Sequence, residues 1–72
     1  MNVTDVVTVQ LADGPHTFPR GSTLAALVEA LGLAPESVAT AVDGSFVARG
    51  ARQDWTLCDG QSVLLFRPVV GG

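Results

Sequence analysis

The sequence predicts an α+β domain, with one main helix laid across one face of a mixed sheet of four to five strands, and three observations carry that prediction. Short runs rich in valine, threonine and leucine occur toward both ends of the chain. One stretch, Leu24 to Leu31, places apolar residues at helical spacing. Three Asp-Gly dipeptides, at 13–14, 43–44 and 59–60, mark turns between the runs. The length of 72 residues allows one domain, and a composition 47% apolar and 15% charged is that of a folded chain with a well-filled core.

The elements follow in order. After a polar lead-in, Val6 to Leu11 alternates, with Val7, Val9 and Leu11 on one face, and reads as a first strand. Asp13-Gly14 is a turn signal and Pro15 is expected to interrupt pairing. His16-Thr17-Phe18 then returns as a shorter antiparallel strand. Ser22 or Thr23 can cap a helix of about ten residues, in which Leu24, Leu27, Val28 and Leu31 share a face. Gly32 sits where a left-handed C-terminal cap is needed. Pro35-Glu36-Ser37 reads as a connector of about one helical turn, and Val38 to Val42 as a third strand. Asp43-Gly44 turns into a short fourth strand at Phe46-Val47. Arg49 to Asp54 reads as a polar excursion that Trp55 and Leu57 return to the core. Val63-Leu64-Leu65-Phe66 is continuously apolar, the pattern of a central strand covered on both faces. Pro68 ends pairing, so residues 1–67 are expected to form the domain and 68–72 a flexible tail.

Charge narrows the partners. Seven acidic residues oppose four arginines, the net charge is −3, and no basic stripe suited to nucleic acid is present. Such a surface favours encounter with a protein whose docking face is basic. The chain has no lysine, so it offers no side-chain amine for conjugation to copies of itself. Cys58 is the single cysteine, which excludes an intrachain disulfide and fits a reducing compartment. Neither a signal-peptide pattern nor an apolar run near membrane-spanning length occurs. A cytoplasmic protein, monomeric when free and without membrane association, is expected.

The end of the chain carries the chemistry. Gly71-Gly72 follows a few residues after the last strand, and glycine, lacking Cβ, can enter a slot too narrow for other residues. It would bring the carboxylate of Gly72 against a nucleotide phosphate without steric strain. A chain built this way reads as a carrier or co-substrate, not an enzyme.

Ala41-Val42-Asp43-Gly44-Ser45-Phe46-Val47-Ala48-Arg49, then Trp55-Thr56-Leu57 with Asp59-Gly60-Gln61, and finally Gly71-Gly72, resemble the bacterial ubiquitin-like sulfur carriers, above all the ThiS family of thiamine biosynthesis. Asp43 stands where that family usually has Asn, and Gln61 where it has Asp. The stretch from Leu64 to Val70 has features of the related small subunit of molybdopterin synthase. The resemblance implies a β-grasp (ubiquitin-like) fold with the last strand central and beside the first. It implies that a ThiF-like adenylyltransferase uses ATP and magnesium to couple AMP to the Gly72 carboxylate. Sulfur from a cysteine-desulfurase relay would displace AMP, leaving a thiocarboxylate for thiazole synthase, ThiG. The carrier itself would bind no cofactor or metal. Gly71, Val70, Val69 and Pro68 would be the recognised tail. Delivery to molybdopterin or another sulfur-containing metabolite stays open, as does a ubiquitin-like modifier or binding module.

The remaining polar and aromatic residues have simpler readings. Cys58 has no neighbouring cation or second cysteine to activate it and reads as a small structural residue. His16 lacks a sequence-adjacent ligand and reads as an edge-strand residue. One His and one Cys make no metal spacing. Trp55 reads as a loop anchor. The aspartates fall at turns. Phe46, Val47, Leu65 and Arg67 are candidates for partner docking, and burial against the helix explains at least half of the apolar ones equally well.

Overall fold

The computed structural model of the chain describes residues 5–67. Val6–Leu11 (β1) and Gly14–Pro19 (β2) form an antiparallel hairpin in which Leu11 pairs with Gly14, so the loop is Ala12-Asp13. Gly14 has φ +127°, which a residue bearing Cβ rarely adopts. Pairing runs on through Pro15, opposite Gln10, to Pro19 opposite Val6. The expected interruption at Pro15 does not occur. β2 is an edge strand, and an edge strand tolerates proline where the missing N–H faces away from the ladder.

The helix α1 is Leu24–Ala30, shorter than the spacing suggested. Thr23 is its cap: Oγ1 accepts the Ala26 N–H at 3.2 Å, while the Ser22 hydroxyl donates to the Pro19 carbonyl at 2.6 Å. Gly32, at φ +76°, closes the other end, with the Gly32 N–H donating to Glu29 and the Leu33 N–H to Val28. A 3₁₀ turn at Pro35–Ser37 leads to β3 (Ala39–Val42). Asp43 and Gly44, at φ +50° and +86°, make the tight turn into β4 (Ser45–Val47). A second 3₁₀ helix, Arg49–Asp54, precedes β5 (Val63–Phe66).

Two ladders result, β1 with β2 and an antiparallel trio with β3 between β4 and β5. They meet along one seam. Gln10 and Ser62 form a parallel bridge, the Gln10 N–H donates to the Gln61 carbonyl at 2.8 Å, and the Gly60 N–H donates to the Thr8 carbonyl at 2.7 Å. Asp59 adds a side-chain bond, its Oδ1 accepting the Thr8 N–H at 2.7 Å. The strand order is therefore β2-β1-β5-β3-β4, with the last strand between the first and third, as expected of a β-grasp fold. Val7 and Val9 from β1, Val42, Val47 and Val63 from the other strands, Leu24, Leu27 and Val28 from α1, and Val38 and Leu57 from the connections make up the core of the described residues.

Arg52 is the residue that the reading of 49–54 as a polar excursion missed. It is 3% exposed. Its Nε donates to Thr40 Oγ1 at 3.0 Å, one terminal nitrogen to the Pro35 carbonyl at 2.9 Å, and the other to the Val38 carbonyl. Thr40, itself fully buried, donates a hydrogen bond from its hydroxyl to the Val47 carbonyl at 2.9 Å. One guanidinium thus ties the 3₁₀ turn, β3 and, through Thr40, β4 together, and buried acceptors without such donors are destabilising. Replacing Arg52 by Met, which fills similar space without donors, is expected to cost about 2–3 kcal/mol in urea unfolding. A loss within the scatter of ordinary surface substitutions would show that the clamp contributes no net stability.

Candidate functional site

Strand alternation sorts the sheet into two faces. Thr40, Val42, Val47, Val63 and Leu65 point toward the helix side, where they are buried or half-buried. The opposite face carries Ala39 and Ala41 on β3, paired with Phe66 and Leu64 on β5, and Phe46 on β4 paired with Ala41. Here Phe46 is 68% exposed, Leu64 55% and Phe66 41%. Two small alanines between three large apolar side chains make a shallow apolar strip, and no described residue covers it.

This arrangement revises the docking candidates. Phe46 is on the open face. Val47 is a core residue and Leu65 is half-buried and packed on the core, so neither is presented to a partner. Leu64 and Phe66 take their place. The continuous apolar character of 63–66 obscured this, because it suggested cover on both faces when only alternate residues are buried. Arg67 is exposed, directly after β5. Pro68, Val69, Val70, Gly71 and Gly72, the expected tail, lie outside the described residues.

At the end of the sheet where β5 finishes, an open depression of about 290 Å³ is lined by Pro35, Val38, Ala39 and Phe46, with Arg49, Arg52 and Glu36. Burial lowers the Arg52 pKa from its ordinary value, and the neighbouring Arg49 adds repulsion. The oxygens that hold the Arg52 guanidinium are neutral, two carbonyls and a hydroxyl.

The turn aspartates work locally. Asp43 Oδ1 accepts the Ser62 N–H at 2.9 Å and the Asp43 N–H donates to the Ser62 carbonyl, locking the β3–β4 turn to the start of β5. Gln61 Oε1 accepts the Cys58 N–H at 2.9 Å. Cys58 is exposed, its thiol directed to the Thr56 carbonyl at 3.9 Å. Trp55 packs on the core and its carbonyl accepts the Leu24 N–H, an anchor as read from the sequence, although its Nε1 is buried without a partner among the described residues. His16 has a partner that the sequence reading did not assign it: its ring Nε2 lies 2.9 Å from Asp13 Oδ1 across the hairpin loop. Among the described residues no cluster of three or more His, Cys, Asp or Glu side chains is gathered, and no helix is long and apolar enough to cross a membrane.

Comparison with known proteins places this geometry. Residues 7–72 match the ThiS family. Among solved structures, the thiamine biosynthesis protein ThiS from Geobacter metallireducens superposes with a TM-score of 0.79 at 25% identity, covering 92% of this chain and 100% of that one. A computationally designed protein based on human erythrocytic ubiquitin (TM-score 0.52, 21% identity, 96% and 98% covered) shares the fold. So does a ubiquitin from Caldiarchaeum subterraneum (0.52, 18%, 93% and 96%). Comparison with curated protein sequences gave no match.

The Asp13–His16 pair generates a pH prediction. The hydrogen bond from His16 is the main cause holding the Asp13 carboxyl below its ordinary value of 3.8. A carboxyl with a lowered folded pKa contributes stability above its unfolded value, and that contribution disappears as pH falls through the folded value. Asp13→Asn should therefore be slightly less stable than wild type near neutrality, with the gap closing on acidification below 3.8. Urea midpoints across that range check it; a gap that persists in acid would show that the carboxylate charge is not its source.

Proposed function

Because the chain belongs to the ThiS family, we propose that it is a sulfur carrier, a protein co-substrate whose Gly72 carboxylate is adenylated and then converted to a thiocarboxylate that donates sulfur for thiazole formation in thiamine biosynthesis. The observation that carries this reading is the family match, which runs through Gly72 and lies on a scaffold similar to a ThiS structure along nearly its whole length.

The physical logic is direct. A carboxylate resists nucleophiles because of its negative charge and because oxide is a poor leaving group. Attack of a Gly72 carboxylate oxygen on the α-phosphorus of ATP releases pyrophosphate and makes a mixed anhydride. A sulfur nucleophile then adds at the carbonyl carbon, the bond to AMP breaks, and sulfur replaces oxygen. The adenylyltransferase supplies magnesium and the charges that stabilise these transition states. Gly71 contributes slenderness, so the reacting carbon can pass into a narrow channel. Among the described residues the buried core runs from Val7 to Val63. The open strip of Phe46, Leu64 and Phe66 supplies a face against which activating and acceptor enzymes can dock in turn.

Intact mass after incubation with a ThiF-like adenylyltransferase, ATP, magnesium and a sulfide source should show one oxygen exchanged for sulfur, located on Gly72. An amide link to a target lysine would instead establish a modifier. Deleting Gly71-Gly72 should abolish activation and leave the melting temperature nearly unchanged. Growth of a strain lacking its thiamine sulfur carrier, with and without added thiazole, identifies the acceptor pathway. For the docking face, Phe46→Ser and Leu64→Ser should each change stability by no more than about 0.5 kcal/mol while raising the KM of the activating enzyme for the carrier. Normal activation by both variants would remove this strip from the interface.

A further inference from the structure

We propose that the depression beside β5 is an acidic-peptide site, taking an Asp or Glu side chain and an adjoining apolar side chain from the enzyme that engages the Gly72 carboxylate. The inference rests on the carrier reading and adds to it the chemistry of one partner contact.

The first ground is an uncompensated charge. Arg52 is buried, yet the oxygens that accept its three hydrogen bonds belong to neutral groups, so its positive charge has no counter-ion there. Arg49 lines the same depression and is exposed, with no ion-pair partner among the described residues. The register pairing Ala39 with Phe66 brings the next residue, Arg67, level with Val38, another lining residue. Two of the four arginines thus line the depression and a third follows the strand that ends beside it, in a chain whose net charge is −3. A low-dielectric rim strengthens the field of such a group.

The second ground is shape and reach. Pro35, Val38, Ala39 and Phe46 give an apolar wall, and about 290 Å³ is at the small end of ligand cavities, suited to a side chain or two. Five residues follow Arg67, so Gly72 lies within roughly 17 Å of it even when fully extended. Whatever grips that carboxylate works within that distance of Arg67. Glu36, also on the rim, opposes an anion there, which gives the proposal an internal control of opposite sign.

The test is ATP–pyrophosphate exchange by the adenylyltransferase, with KM measured separately for carrier and for ATP at low and high salt. Arg49→Glu should raise the carrier KM roughly tenfold with kcat little changed, and flatten its salt dependence. Arg49→Lys should retain most of the affinity, and Glu36→Gln should lower the carrier KM. Urea midpoints confirm that each variant is folded. Normal exchange by wild type with Arg49→Glu and Glu36→Gln indistinguishable from it overturns this site and leaves the carrier reading standing. A rise in the KM for ATP instead assigns the anion to the nucleotide and also overturns it. Absence of exchange with wild type removes the carrier reading and this partner with it.

Discussion

The seam between β1 and β5 is the constraint on which the rest of the molecule depends. The hairpin β1–β2 and the trio β4-β3-β5 are otherwise separate ladders, each too small to bury a core alone. Gln10 to Gln61, Gly60 to Thr8, and the Asp59 carboxylate on the Thr8 N–H join them into one surface. Only on that joined surface can Leu24, Leu27 and Val28 of a seven-residue helix find Val7, Val9 and Val63 together. A helix this short is not stable by its own hydrogen bonds, so the seam holds the helix as well as the sheet. It also places β5 between two neighbours, with Arg67 directly after the strand.

Most of the fold was legible because local and tertiary signals agree. The helical stripe, the Asp-Gly turns and the alternation of β1 each point to one structure, and each is seen. For Arg52, the side chain's partners lay far along the chain. Nothing near Arg52 in sequence announces that its guanidinium will close on Pro35, Val38 and Thr40, 12 to 17 residues earlier. Arginine is rarely buried, and a run with glycine and four polar residues reads as solvated. Pro15 misled for the opposite reason: its rule holds for interior strands, and the edge position of β2 is a property of the whole sheet.

The face of the sheet opposite the helix was the least legible part of the candidate site. In Val63–Phe66, apolar residues occupy both faces of a central strand, as they would with cover on both sides. Leu64 and Phe66 remain exposed in the isolated chain, joined by Phe46 across the two alanines. Val47 and Leu65 look identical to Phe46 and Leu64 in composition. Only the register separates the residues that hold the fold from those available to a partner.

The two departures from the usual ThiS pattern fit the same separation of roles. Asp43 uses one carboxylate oxygen to accept the Ser62 N–H, a bond that the amide oxygen of Asn supplies equally well. Gln61 uses its side-chain oxygen to accept the Cys58 N–H, an amide acceptor that carries no charge. In both places this chain presents a side-chain oxygen to a backbone N–H. Both sites brace the approach to β5, one from β3 and the other from within the loop that reaches β1. The two bonds hold the turns on either side of the start of β5, so the strand keeps its place in the sheet.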